Sequence, residues 1–229
     1  MISHIDTIPA AIPRSFSIRI SNLFKSYGSH PVLADVTMEL SGPGIYCLMS
    51  PSGSGKTTLF RILMGLEKQD QGDISVWDWR TAPPAPISLS SLRISVVFQE
   101  DRLIEFMTPL ENAALVLPGR PSRDMLFTEL SRLLPEESLT RPVSTLSGGM
   151  RRRCALMRAL LAPSDLLLLD EPFTGLDEET KKEAIRCLLE KADGRPVLMT
   201  THSAKEAALL HASILRLPDI PPSTESPAP

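Results

Sequence analysis

The chain has 229 residues, 42% of them hydrophobic and 22% charged, with a formal net charge of −3, which allows one sizeable core plus a small lobe and excludes a surface built to hold nucleic acid through its phosphates. Its cysteines, Cys47, Cys154 and Cys187, stand far apart without CxxC spacing, so neither a disulfide framework nor a thiolate metal site is expected, and buried thiols in a reducing compartment are. No run approaches the roughly 18–20 apolar residues that span a bilayer, and "MISHIDTIPAAIPRS" lacks a basic start followed by an apolar stretch, so any membrane role has to come through a partner.

From the N-terminus, residues 1–15 and 218–229 are rich in proline and serine and are expected to form an N-terminal arm and a disordered tail around one domain at 16–217. "FSIRISNLFKSY", "PVLADVTMEL" and "GIYCLMS" mix alternating and continuous apolar residues at strand length, punctuated by Gly42, Pro43 and Gly44, and predict three early strands. "KTTLFRILMGL" carries apolar residues at helical spacing and ends near Gly65. "GDISVWDW" and "ISVVFQ" predict two more strands, separated by "TAPPAPISLSS", whose prolines are expected to forbid regular structure.

From Gln99 to Leu146 the character changes to short amphipathic helices, "TPLENAALVL" and "DMLFTELSRLL", broken by Pro118, Pro121 and Pro135. With the helix "GGMRRRCALMRALLA" they predict a helical lobe at 100–162. "DLLLLD" then reads as a buried strand, "EETKKEAIRCLLEKA" as an exposed helix, "PVLMTT" as a strand, "SAKEAALLHA" as a helix and "ILRL" as a last strand. Strands alternating with helices predict an α/β fold: a mostly parallel sheet flanked by helices, with an antiparallel N-terminal part and the helical lobe inserted.

"CLMSPSGSGKTTLF" sits between a predicted strand and a predicted helix. Such a turn gathers backbone N–H groups and the positive end of a helix dipole around one small volume, which suits a polyphosphate. Lys56 would reach the outer phosphates and the Thr57 hydroxyl would ligate magnesium. Gly53 and Gly55 stand where side chains would collide with phosphate, but Ser50 occupies the place of the first glycine of GxxxxGK[ST]. Serine costs little there if its φ stays negative and about 1–2 kcal/mol if φ is positive; negative φ and a working loop are expected. "LLLLDE" is a buried strand ending in the carboxylates of Asp170 and Glu171, and buried carboxylates call for a cation.

"SPSGSGKTT", "VFQED", "LSGGM", "LLLLDEP", "TGLD" and "TTH", in this order, resemble the ATP-binding subunit of ATP-binding cassette (ABC) transporters from about Phe16 to about Leu217. LSGG is the most specific of these motifs. The resemblance implies the ABC ATPase fold, ATP and Mg2+ as ligands, and ATP hydrolysis. It casts residues 50–58 (Ser50, Pro51, Ser52, Gly53, Ser54, Gly55, Lys56, Thr57, Thr58) as the nucleotide loop and Asp170, with Thr57 and Gln99, on the magnesium side. Glu171 becomes the residue that polarises the attacking water, His202 the switch histidine at the γ-phosphate, and Tyr27 the aromatic that stacks on adenine.

LSGG opens a predicted helix whose N–H groups favour an anion, while Arg151 to Arg153 in its first turns oppose the dipole by roughly a few tenths of a kcal/mol each. The resemblance identifies that anion as ATP held by a second copy, with Ser147, Gly148, Gly149 and Asp177 facing it, so a head-to-tail pair is expected. Met150 departs from the family's usual glutamine, and retained activity is expected. "VFQEDRLIEFMTPLENAAL" resembles the importers of nitrate, sulfonate and taurine. It implies a separate membrane permease, contacted through Leu103, Ile104, Phe106 or Met107 unless these are lobe core, an extracytoplasmic solute-binding protein, and placement on the cytoplasmic face of the membrane. No added regulatory domain is expected after the last strand. A soluble nucleotide-dependent clamp and a non-hydrolysing regulatory subunit are the alternatives.

Overall fold

Alternation of apolar and polar residues in β1 (Phe16–Tyr27) buries Ile18 and Ile20 and leaves Arg19 exposed. β1 pairs antiparallel with β2 (His30–Ser41) across the turn at Gly28, whose φ of 61° lies in the left-handed region, and on its other side with β4 (Gln71–Asp78). The computed structural model describes residues 16–220 apart from 42, 80 and 82; the expected arm at 1–15 and most of the expected tail at 218–229 lie outside the described residues. The proline-rich stretch expected to hold no regular structure instead supplies β5 (Ala85–Ile87) and a single 3-10 turn, Leu89–Ser91. β5 completes the order β2-β1-β4-β5 as an edge strand, and at an edge the N–H that Pro86 lacks need not be missed by the ladder.

The second sheet is parallel, with the order β6-β7-β8-β3-β9. Its strands are β3 (Ile45–Leu48), β6 (Ile94–Val97), β7 (Leu166–Asp170), β8 (Val197–Thr200) and β9 (Ser213–Leu215). Every residue of β7 and β8 is buried because both faces of the sheet are covered. Side chains alternate between the faces. Leu166 and Leu168 join the core under the antiparallel sheet and α1 (Lys56–Leu63), whereas Leu167 and Leu169 face α4 (Gly148–Leu161) and α5 (Glu178–Ala192).

The helices between β6 and β7, which include α2 (Pro109–Ala114) and α3 (Arg123–Ser131), extend that second core rather than building one of their own: Leu110, Leu126, Leu130 and Leu146 pack in the same cluster as Leu167 and Leu169. α2 begins with a capping box in which Thr108 and Glu111 satisfy each other's backbone N–H groups. Buried Asn112 bonds Ile104 through both its amide groups and so fixes the loop ahead of α2. α6 (Ala204–Leu209) follows β8. Among the described residues, no helix is long and apolar enough to cross a membrane.

In parallel register, Leu48 and Asp170 both pair with Thr200, and Val97 pairs with Leu169. The segments leaving the carboxyl ends of β3, β6, β7 and β8 therefore converge on one edge of the sheet, where open α/β sheets hold ligands.

Candidate functional site

At that edge lies a cleft of about 230 Å³ lined by Val32, Ser52, Gly53, Gly55, Lys56, Thr57, Thr58, Gln99, Asp170, Glu171 and His202. Four separate segments thus bring together the lysine, the glutamine, both carboxylates and the histidine that the sequence singles out. α1 begins at Lys56 with no side-chain cap and no acid in its first turn, so its free N–H groups point at the cleft with their dipole unopposed. Gly53 and Gly55 have φ of 79° and 91°. At Gly55 an added Cβ would stand 2.5 Å from the Val32 carbonyl oxygen, so β2 by itself excludes a side chain there. At Gly53 an added Cβ meets no described atom of the chain within 4 Å, and its positive φ favours glycine.

Ser50 is absent from the positive-φ residues, as expected, and its hydroxyl turns away from the loop into the fold. It is buried and accepts a 2.8 Å hydrogen bond from the Leu217 N–H, just beyond β9. The carbonyl oxygens of Ser50 and Pro51 each accept a 2.7 Å bond from Lys56 Nζ, which folds the ammonium group across the loop. Ser54 Oγ is buried with no partner among the described residues. An unpaired buried hydroxyl, free helix N–H groups and an ammonium held only by carbonyls form a donor-rich set suited to a polyphosphate.

Asp170 is 9% exposed, and its Oδ1 accepts a 2.6 Å bond from the Thr200 hydroxyl. The Glu171 N–H donates to the same Thr200 Oγ1 at 2.9 Å. Glu171 has φ 46°, a left-handed conformation that costs a non-glycine residue on the order of 1–3 kcal/mol and concentrates at working sites. Its carboxylate lies 3.2 Å from His202 Nε2 through Oε1 and accepts a bond from the Thr174 hydroxyl at 3.2 Å through Oε2. Thr174 and Thr200 were not singled out by the sequence; "TTH" and "PFTG" offer only their adjacency to His202 and Glu171 as a signal.

His202 is itself held between two anchors. The Thr201 hydroxyl bonds buried Glu206 at 2.5 Å, Lys181 of α5 pairs with Glu206 at 3.1 Å, and Ser203 caps α6 by accepting from the Glu206 N–H. No group of three or more metal-ligating side chains occurs among the described residues. Thr57, Gln99 and Asp170 all line the cleft and carry oxygen ligands, a donor set suited to an ion that keeps its remaining positions for water and phosphate oxygens.

Tyr27, Ser147, Gly148, Gly149 and Asp177 do not line this cleft. Tyr27 ends β1, 45% exposed, with Lys25 Nζ 5.4 Å from its ring centroid. Ser147 caps α4 through a 3.3 Å bond from the Met150 N–H, Gly148 has open space around it, and Met150 packs on the second core. Asp177 caps α5, accepting from the N–H groups of Glu179 and Thr180 and from the Thr180 hydroxyl, and those bonds, with the Thr180 N–H foremost, hold its carboxyl below the usual range.

The basic cluster does not uniformly oppose the α4 dipole. Arg152 is buried and bonded to carbonyl oxygens, and Arg153 donates to the Leu133 and Gly149 carbonyls. Of the four residues considered for a permease contact, Leu103 packs on the core while Phe106 is 79% exposed.

A parallel sheet with a glycine-turned phosphate loop at its carboxyl edge and helices inserted before the acidic strand defines a phosphate-loop nucleotide-binding subunit. The family profile described as ABC transporter matches residues 33–174, and the chain belongs to that family. It is 36% identical over 201 residues to the sulfate/thiosulfate import ATP-binding protein CysA 2 of Rhizobium meliloti, covering 83% of this chain and 54% of that protein. Over 211 residues it is 34% identical to the aliphatic sulfonates import ATP-binding protein SsuB 2 of Burkholderia cenocepacia, covering 90% and 74%. Its fold matches the dimeric post-hydrolysis structure of the ATP-binding cassette MJ0796 bound to ADP and Pi with a TM-score of 0.71 at 26% identity, covering 87% of this chain and 94% of that one. The chain therefore spans little more than half of the first of these relatives.

Proposed function

We propose that the protein binds and hydrolyses ATP as the motor subunit of a transporter for a small solute, acting on the cytoplasmic face of the membrane through a separate permease. The relatives' printed functions in sulfate and sulfonate import favour a small oxyanion as solute and an extracytoplasmic binding protein as a further partner. Exposed Phe106 is the side chain proposed for the permease contact.

The single observation that carries the reading is the cleft's composition: Lys56, Gln99, Asp170, Glu171 and His202 converge at the free N-terminus of α1. The α1 N–H groups and Lys56 bind the phosphates, and Tyr27, exposed at the end of β1, supplies the base stack. Magnesium, held by Thr57, Asp170 and Gln99, would neutralise charge on the outer phosphates. Glu171, oriented by Thr174 and its left-handed backbone, accepts hydrogen bonds from the attacking water, and His202, 3.2 Å from Glu171, is placed to hold the γ-phosphate side.

Ser147, Gly148 and Gly149 sit at a helix N-terminus outside their own chain's cleft, so a second copy completes the site. Contacts to γ-phosphate across that pair are charge-assisted, worth roughly 1.5–3 kcal/mol each, and are lost after hydrolysis. That difference in affinity is what moves the permease.

The test is ATPase activity of the full chain with its permease, against Glu171→Gln. Turnover is expected to vanish in the variant while ATP-dependent dimerisation, followed by light scattering, persists. A wild type that binds ATP and never hydrolyses it would replace this reading with a regulatory one.

A further inference from the structure

We propose that Arg152 is a positioning residue for hydrolysis: from the signature helix α4 its guanidinium holds the Glu171 backbone and the Gln99 loop in one fixed arrangement, so that both side chains are presented to the cleft together. The proposal rests on the ATPase reading above and adds to it a residue outside the cleft.

The Arg152 side chain is 7% exposed. One terminal nitrogen donates to the Phe98 carbonyl, reaches the Gln99 carbonyl at 3.4 Å and meets Asp101 Oδ1 at 3.2 Å. The other donates to the Asp170 carbonyl and, at 2.7 Å, to the Glu171 carbonyl. Three segments distant in sequence are thus joined by one planar fork: α4, the segment after β6 and the end of β7. Among the described residues Asp101 is the only carboxylate paired with this buried cation, and Nε is buried with no partner. An arginine needed only to fill space is replaceable by an apolar side chain of similar volume at little cost. This one gives its donors to main-chain oxygens that flank the two cleft residues.

Glu171 shows why the clamp matters. In its left-handed conformation its carbonyl accepts from Arg152 at 2.7 Å and from the Thr174 N–H at 3.2 Å, and its own N–H donates to Thr200 Oγ1, so a side chain from another element reaches the peptide on each side of the residue. Without the guanidinium, the ordinary negative-φ conformation competes and would redirect the carboxylate. Lysine cannot substitute, because a compact ammonium does not span two pairs of carbonyls as a fork does. Arg195 supplies the contrast: equally buried, among the described residues it bonds Ser164 and the carbonyls of Leu160, Ala162, Lys191 and Ala192 at the ends of α4 and α5, outside the cleft.

The experiment compares Arg152→Lys and Arg152→Gln with Arg195→Lys in the full chain. It measures kcat, the ATP dissociation constant, Tm, and hydrogen exchange of peptides covering 98–102 and 170–175. The expected result for Arg152 is a kcat lowered about 10- to 100-fold with ATP affinity changed by less than about twofold and faster exchange in both peptides. Arg195→Lys is expected to lower Tm with kcat unchanged. Arg152 variants that match Arg195→Lys, with kcat and both exchange rates intact, overturn the proposal. If neither Arg152 variant folds, Asp101→Asn removes only the counter-charge; it should speed exchange at 98–102 and lower kcat, and an unchanged kcat overturns the proposal. If the wild type itself never hydrolyses ATP, the ATPase reading falls, and the exchange rates alone decide the clamp: acceleration in both peptides sustains it, no acceleration ends it.

Discussion

Replacing Ser50 by alanine separates two roles for the residue that interrupts the phosphate-loop pattern. Its hydroxyl is buried and accepts the Leu217 N–H at 2.8 Å, and Ser50 is not among the residues that line the cleft. Alanine keeps the backbone conformation and leaves the Leu217 N–H without its partner in a place where Ser50 is 5% and Leu217 7% exposed. An unsatisfied buried donor costs about 1–3 kcal/mol. For a chain of this length, each kcal/mol moves Tm by about 2–4 °C. With about 2 kcal/mol lost, Tm should fall by about 4–8 °C. ATP affinity, measured by titration calorimetry well below that Tm, should stay within about twofold because no phosphate donor is touched. Ser50→Gly should lose the same hydrogen bond and, in addition, about 0.5–1 kcal/mol through backbone freedom. A gain or loss of ATP affinity by orders of magnitude with Tm unmoved would refute the reasoning, since the hydroxyl would then act on the nucleotide and not on the end of β9.

Arg195→Ala should destabilise the fold by about 2–4 kcal/mol in urea titration, because buried carbonyls at the ends of α4 and α5 lose their shared donor. The thiols should be silent: burial pushes Cys47 and Cys187 up to about 11 and Cys154 up to about 12, so a disulfide dye at pH 8 should label none in the native chain and all three in urea. Asp177 has its carboxyl held low by the N–H groups it caps, so its contribution is fully present above the ordinary carboxylate range and is lost as pH falls through the lowered value. The Tm difference between wild type and Asp177→Ala should therefore be constant from pH 8 to 6 and shrink toward zero in acid; a gap independent of pH would show that charge plays no part in the cap.

What the sequence revealed follows from how each residue is placed. Gln99, Asp170, Glu171 and His202 each lie at or beside the carboxyl end of a strand that could be recognised by its apolar run, Lys56 opens the helix that the loop after β3 leads into, and parallel strands in register bring such ends together. Their convergence needs no knowledge of individual contacts. The clustering of Ser50 with Leu217, 167 residues apart, has no local trace, because a hydroxyl gives the same sequence signal whether it faces phosphate or the fold's interior. Arg152 was equally hidden. In "MRRRC" three consecutive arginines look alike, yet successive helical positions point about 100° apart, so only one is directed at the junction of β6 and β7 while its neighbours reach a lobe carbonyl or lie at the helix surface. The strand at Ala85–Ile87 escaped for a different reason: proline excludes a central strand, and edge status depends on the order of strands, which local composition does not encode. The same logic explains the signature motif. Its residues open α4 and do not line their own chain's cleft, so the role proposed for them at a second copy's nucleotide has no contact within one chain from which it could be read, and a site divided as proposed would tie hydrolysis to association.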